Sequence, residues 1–257
     1  YVPRYTPPLG GFLRYHWEYP MVPALPSGLH VELQWRWSSL RSSRRPSEDW
    51  IWESPLEAHL GGARVLTPNI ENYLLLLSQH GAGHRWRKLQ WVFDLVGLIA
   101  RHPVDWSALE ASSRRLDCSR QLALGLVLAQ DLGAVVPKLA ILQDPVIRAE
   151  ARWIGRWLLP IRQHPLPLRE KLFDWRMRVG LGSKAEYLLQ FLLIPAHEDL
   201  ATWPLGNRAL WALPIWRVLH QVGRLTRSVA HHLGLPVGLP RSGKQLASNP
   251  EADLPEL

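Results

Sequence analysis

Two histidines stand four residues apart in the run His80-Gly-Ala-Gly-His84-Arg85-Trp86-Arg87-Lys88, and Asp94 follows ten residues after the second. On an unbroken helix a spacing of four puts both side chains on one face, and ten residues is close to three turns. Two imidazoles and a carboxylate can hold zinc or a non-haem metal. The zinc-protease pattern, however, needs a Glu directly after the first His, where this chain has Gly81. Two other readings stand beside a metal. The histidines can be satisfied by hydrogen bonds between neighbouring elements, or His84, Arg85 and Lys88 can meet a phosphate or another anionic group. Gly81 and Gly83 each weaken a helix by up to about 1 kcal/mol relative to Ala, and predict a break or a close backbone approach.

A second constellation lies on a strand. Leu29, Val31, Leu33, Trp35 and Trp37 alternate with His30, Glu32, Gln34 and Arg36. A period of two sends the first set to one face and the second to the other. Successive polar side chains then stand about 6.5–7 Å apart. This row of imidazole, carboxylate, amide and guanidinium is either a solvated face or the working face of a site.

Other chemistries find no support. There is no G-x-S-x-G elbow, no G-x-x-x-x-G-K-[ST] loop and no G-x-G-x-x-G turn. Gly180-Leu-Gly182-Ser-Lys184 has no strand before it and reads as a connection between helices. Cys118 is the single cysteine, which excludes internal disulfides and multi-cysteine metal sites. In an apolar helical run it reads as a small buried side chain, and the cysteine usage fits a reducing cytoplasm.

The elements that must position these residues are legible in outline. The chain has 257 residues, 47% hydrophobic and 20% charged, which excludes a disordered or fibrous protein. Its formal charge of +8 favours polyanions such as nucleotides, nucleic acid or an acidic membrane face. No apolar run reaches the length of a membrane span, since Gln130 and Asp131 interrupt Leu122 to Val136. The start carries no basic segment followed by an apolar core, so no signal peptide is visible. Strands are expected at Gly11–Trp17, Leu29–Trp37 and Ala63–Leu66, the last after a Gly61-Gly62 turn, and Arg41 to Glu48 reads as an exposed basic loop. Thr67-Pro68 is expected to start a helix through Ile70, Tyr73, Leu74 and Leu77. Further helices are expected at Leu89–Ala100, Asp105–Leu116, Ser119–Leu132, Asp144–Leu159, Leu168–Val179, Ser183–Ile194 and Asn207–Leu233, with Pro214 kinking or splitting the last. The class is α+β: strands over 1–68, a helical domain over 69–235, and a polar tail over 236–257 that reads as disordered. Trp203, Trp211 and Trp216 with Arg208, Arg217, Arg224 and Arg227 make the last helices basic and aromatic. Such a segment can lie on an anionic membrane surface, or simply turn its core face in and its charge out.

Three segments together resemble the uncharacterised nucleotidyltransferase family, a bacterial group related to the DNA polymerase beta-like superfamily. Leu29-His30-Val31-Glu32-Leu33-Gln34-Trp35-Arg36 is similar to its "hydrophobic-Glu-Leu-His-Trp-Arg" strand. The block from Leu74 through His80-Gly-Ala-Gly-His84-Arg-Trp86 and Leu89-Gln-Trp91 to Asp94 is similar to its "HGAKHRW…LKW…D" helix. Leu192-Leu193-Ile194-Pro195, Glu198-Asp199 and Trp203-Pro204-Leu205 resemble its later turn, so the likeness spans nearly all of residues 10–225.

The resemblance implies the trailing strands of a mixed nucleotidyltransferase sheet followed by a mainly helical domain. It also implies transfer of a nucleoside monophosphate from an NTP to an acceptor that the sequence does not name. In that superfamily a Gly-Ser turn, an Asp-x-Asp pair and a third carboxylate hold two Mg²⁺ ions that activate the acceptor hydroxyl. Glu32 matches the third carboxylate, the catalytic and metal-ligating position, and His30, His80, His84, Arg85 and Lys88 become candidate nucleotide or acceptor contacts. The chain departs from the pattern in three ways. No Gly-Ser followed by Asp-x-Asp precedes Glu32, Glu18 is the one acid upstream, and Gln34 stands where the family has His. The first residue is Tyr1, and the expectation is that the family's first strands lie before it, leaving the isolated chain inactive. The alternatives are a catalytically inactive nucleotide- or anion-binding relative, or a scaffold that uses the C-terminal helices at a membrane surface.

Overall fold

The computed structural model describes residues 2–3, 18–22, 31–34, 48–158, 167–195, 199, 203 and 206–232. Three strands, β1 (Val2–Pro3), β2 (Glu18–Val22) and β3 (Val31–Gln34), form an antiparallel sheet in that order. Glu32 lies opposite Pro20 in the β2–β3 ladder. The strand expected over Leu29–Trp37 is thus present over Val31–Gln34, and its flanks lie outside the described residues, as does Gly11–Trp17. The Arg41–Glu48 loop also lies outside them apart from Glu48, which opens a 3-10 turn.

A second unit is the hairpin of β4 (Leu56–Leu60) and β5 (Ala63–Thr67). Its two-residue turn is Gly61-Gly62, at φ +57° and +84°. Such a turn matches the twist of the flanking strands, and only glycine enters it without strain. The expected strand at Ala63–Leu66 is β5. Its partner β4 went unread, although Leu56, Ala58 and Leu60 alternate with Glu57 and His59.

The first helix, α1, covers Ile70–Gly83 and does not start at Thr67-Pro68. Asn69 is the cap: its Oδ1 accepts from the Asn72 N–H at 2.8 Å while its Nδ2 donates to the Glu53 carbonyl at 2.8 Å. Thr67 closes β5 instead, and its hydroxyl donates to the Pro68 carbonyl. There follow α2 (Leu89–Arg101), α3 (Trp106–Arg115, capped by Asp105), α4 (Ser119–Asp131), α5 (Pro145–Leu158), α6 (Pro167–Arg176), α7 (Gly180–Leu193) and α8 (Leu213–His232). Gly180 to Lys184, expected as a connection, are the first turn of α7, entered through Gly180 at φ +80°. The helix expected over Asn207–Leu233 is split rather than kinked: a 3-10 turn covers Gly206–Ala212, and Pro214 sits in the first turn of α8, where its missing N–H costs nothing.

One core joins most of these elements. Trp50 and Ile51, from the 3-10 turn Glu48–Trp52, pack with Leu74 and Leu75 of α1, Val92 and Leu95 of α2, Leu122 and Leu126 of α4, Ile147 and Ile154 of α5 and Phe173 of α6. Asn72 secures that turn by donating from Nδ2 to the Trp50 carbonyl at 2.6 Å. The helices also approach closely at Gly125 of α4, where a Cβ would lie 3.0 Å from Leu95, Ser78 and Trp86. The fold is α+β and mainly helical, and the described ladders are all antiparallel. No described helix is long and apolar enough to cross a membrane.

Candidate functional site

The His80–Lys88 run builds the corner between α1 and α2. The helix is unbroken through Gly83, and the chain turns out of it by a specific C-cap. The Trp86 N–H donates to the Gly81 carbonyl at 2.7 Å and the Arg85 N–H to the Ala82 carbonyl at 3.0 Å. This is the paired closure of a Schellman motif, whose left-handed position is usually glycine. Here Arg85 (φ +57°) and Trp86 (φ +54°) both adopt left-handed backbone, at roughly 1–2 kcal/mol each.

Burial of Trp86 offsets that strain. Its ring is wholly buried and folds back over Gly81, where a Cβ would stand only 2.5–2.6 Å from three ring carbons. Of the two expected meanings of the glycine pair, Gly81 is the close approach. Gly83 is an ordinary helical residue with open space at its Cβ position.

The capped corner brings His80 and His84 together with Trp91, which lies in the first turn of α2. Ring centroids are 4.6 Å apart for His80–His84, 5.2 Å for His80–Trp91 and 5.1 Å for His84–Trp91. The Lys88 ammonium lies 5.8 Å from the Trp91 centroid, within cation–π range. His84 is pushed down to about 4, first by desolvation of its ring, then by the positive charge of His80, Arg85, Lys88 and Arg87. The residue keeps an open edge to solvent. At neutral pH His84 is an uncharged imidazole in a positive setting. It can stack and exchange hydrogen bonds without adding charge.

Arg85 points elsewhere. Its guanidinium donates to Asp174 at 2.9 Å and lies 3.6 Å from Glu170, both on α6, and Arg87 also pairs with Glu170. Asp174 accepts from the Tyr187 hydroxyl of α7 at 3.3 Å, and burial followed by the Asp174 charge raises that phenol. Arg85 therefore ties the corner to α6 and α7 rather than facing solvent, with a side chain only 16% exposed.

Asp94 does not complete a metal set: among the described residues no three His, Cys, Asp or Glu side chains are grouped to hold an ion. It lines a cleft of about 350 Å³ between α1 and α2 with Tyr73, Leu77, Phe93 and Arg101. Glu32 has its place in β3 opposite Pro20, and His30 lies outside the described residues. Cys118 is 2% exposed in the position that caps α4, and burial pushes its thiol up to about 12, with Asp117 adding to the shift.

Three contributors escaped the sequence reading. Trp91 stood in the quoted motif without a role. Glu170 and Asp174, spaced i,i+4 on one face of α6, carried the only available signal, a doubled carboxylate needing cations.

No curated protein and no solved structure matches the chain. A family model described as "Uncharacterised nucleotidyltransferase" matches residues 4–134. The matched segment takes in the strand of Glu32, the hairpin and the whole corner, and it ends just past α4. The likeness noted at Leu192–Leu205 lies beyond it. Because the match covers half of the sequence, it places the protein by family: the chain belongs to the uncharacterised nucleotidyltransferases.

Proposed function

We propose that the chain serves the transfer of a nucleoside monophosphate from a Mg²⁺-bound NTP to an acceptor. In this reading His80, His84, Lys88 and Trp91 contact the nucleotide or the acceptor, and Glu32 is a metal-ligating carboxylate. The observation that carries it is the family match over residues 4–134, which contains both Glu32 and the corner. Nucleotidyl transfer is the chemistry of the family, and the Mg²⁺, the substrate and the residue roles are the finer part proposed here.

The physical chemistry of the corner supports its share. The rings of His80, His84 and Trp91 are tilted by 49°, 88° and 39° to one another, so a nucleobase would stack on one ring face rather than on a common plane, and base–aromatic stacking is worth about 1–3 kcal/mol. The ammonium of Lys88 and the cationic surroundings suit phosphate. Arg85, held by Asp174 and Glu170, is assigned the role of fixing the corner. A bound Mg²⁺ would offset the triphosphate charge and polarise the transferred phosphorus. One carboxylate does not hold two such ions against a triphosphate, and the described residues add no further ligand group.

Equilibrium binding of an NTP to the 257-residue chain, with and without Mg²⁺, tests the reading. Lys88→Ala or Trp91→Ala is expected to weaken binding by about tenfold or more, and Glu32→Gln to remove the dependence on Mg²⁺. Binding that survives Mg²⁺ removal and Glu32→Gln unchanged, yet needs Lys88 and Trp91, would favour the other reading, a nucleotide-binding relative without catalysis. Binding indifferent to all three substitutions overturns both.

A further inference from the structure

The side of α8 turned to the protein is mixed: Leu213 is fully buried and Trp216 packs beside it, and the polar Arg217 and His220 lie on the same side. Arg217 is 1% exposed, donates to the Phe191 carbonyl from Nε at 3.0 Å and Nη2 at 2.7 Å, and pairs with the buried Asp199. His220 Nδ1 lies 3.0 Å from the same carboxylate. The opposite side is apolar and open: Trp211, at the end of the preceding 3-10 turn, is 73% exposed, Ile215 58%, Leu219 63% and Val222 53%. Positions 215, 219 and 222 fall within one narrow sector of a helix. A helix serving only a protein interior buries such a stripe, and a contiguous exposed one marks a partner.

The charge of the segment identifies that partner. From residue 200 to residue 250 there is no Asp or Glu, while Arg208, Arg217, Arg224, Arg227, Arg241 and Lys244 are basic. Asp199 neutralises Arg217, and the same stretch of sequence holds five further Arg or Lys residues. A second copy of this chain would bring the same positive segment against itself across a symmetric interface, whereas anionic lipid headgroups complement it. The stripe from Trp211 to Val222 is about 16 Å long at 1.5 Å per residue, far short of a span and suited to a helix lying in the headgroup plane. Trp211 at its end is the residue type that prefers that depth.

We propose that α8 docks on an anionic lipid bilayer surface through Trp211, Ile215, Leu219 and Val222, independently of the nucleotidyl transfer argued above. The test is co-sedimentation of the full chain with phosphatidylcholine vesicles containing about 30% phosphatidylglycerol, against pure phosphatidylcholine. Binding is expected to be at least tenfold tighter to the anionic vesicles and to fall as salt screens the basic residues. The double substitution Ile215→Glu, Leu219→Glu is expected to lose binding by at least about tenfold, because each removes an inserted side chain and adds a repelled charge. Trp211→Ala weakens it without new charge. Val135→Glu, at an 87% exposed apolar position elsewhere, keeps it. All these positions are open to solvent, so unchanged thermal midpoints are expected and would show that the variants fold. Failure to bind anionic vesicles, equal binding to neutral ones, or a double variant that binds like the wild type overturns the proposal. So does a dimer in light scattering that the double variant dissolves while lipid binding is absent, which would assign the stripe to a second copy.

Discussion

Gly81 and Gly83 look alike in the sequence and differ in what their substitution does. A methyl group at Gly81 meets the Trp86 ring at 2.5 Å, and that ring is boxed in on its other side by Gly125, where a Cβ would stand 3.0 Å from it. At Gly83 the same methyl meets nothing. Gly81→Ala is therefore expected to destabilise the fold by about 1–3 kcal/mol through overpacking, and Gly83→Ala to stabilise it by about 0.5–1 kcal/mol through chain entropy. Urea unfolding of the two variants checks this, and equal effects of one sign would refute the assignment of Gly81 as the seat of Trp86. His84 supplies a second expectation at this scale. Its pKa is lowered from 6.5 to about 4, so the unfolded chain binds a proton more readily than the folded one between those values. The contribution is fully present above about pH 6.5 and is lost as pH falls toward 4. Unfolding midpoints measured from pH 7 to 4.5 should decline, and His84→Gln, which does not titrate, should flatten that decline. The spacing of the two histidines was legible in the sequence because four residues on a helix is a local geometry. The role of Gly81 was not, because it depends on a ring five residues away returning across a left-handed turn.

At the scale of elements, the corner between α1 and α2 holds its shape through a partner that lies far along the chain. Asp174 is 89 residues from Arg85, and no local pattern connects them. Sequence reasoning assigned Arg85 to an anionic ligand because a guanidinium beside two histidines suits phosphate. The structure gives that guanidinium two protein carboxylates, with side chains of Arg85 and Asp174 only 16% and 19% exposed. A double-mutant cycle of Arg85→Ala and Asp174→Ala is expected to show a coupling of about 1–2 kcal/mol, above the range of exposed pairs. A coupling near zero would return Arg85 to the pool of residues facing a ligand. Local chemistry also misplaced the start of α1. Thr67 and Asn69 are both good capping residues, and Pro68 fits the first turn after Thr67. What decides is the Glu53 carbonyl, which takes the second half of the Asn69 amide while Thr67 is held in β5. Asn69→Ala should cost about 1 kcal/mol and Thr67→Ala much less, a difference that thermal midpoints of the two variants will read directly.

For the whole molecule, the family match and the folding unit do not end at the same place. The match stops at residue 134, after α4, yet α4 sits in the middle of the core. Leu122, Leu124 and Leu126 are fully buried in a cluster that continues into Ile147 and Ile154 of α5 and Phe173 of α6. Arg120, at the start of α4, donates from Nε to Asp144 at 2.7 Å and from Nη1 to the carbonyls of Arg176 and Arg178 at 2.7 and 3.0 Å. Glu150 of α5, itself fully buried, is neutralised by Arg169 and Arg176 of α6. Removing everything after 134 would expose several leucines, at roughly 1.5–3 kcal/mol for each side chain returned to water, which in sum exceeds the usual net stability of a domain. A chain ending at 134 is therefore expected to lack a cooperative thermal transition and to bind hydrophobic dye, although it holds the entire family-matched segment. A cooperative melt of that fragment near the full-length midpoint would show that α5 and α6 are an appendage, and the corner held by Asp174 and Glu170 would then have to stand without them.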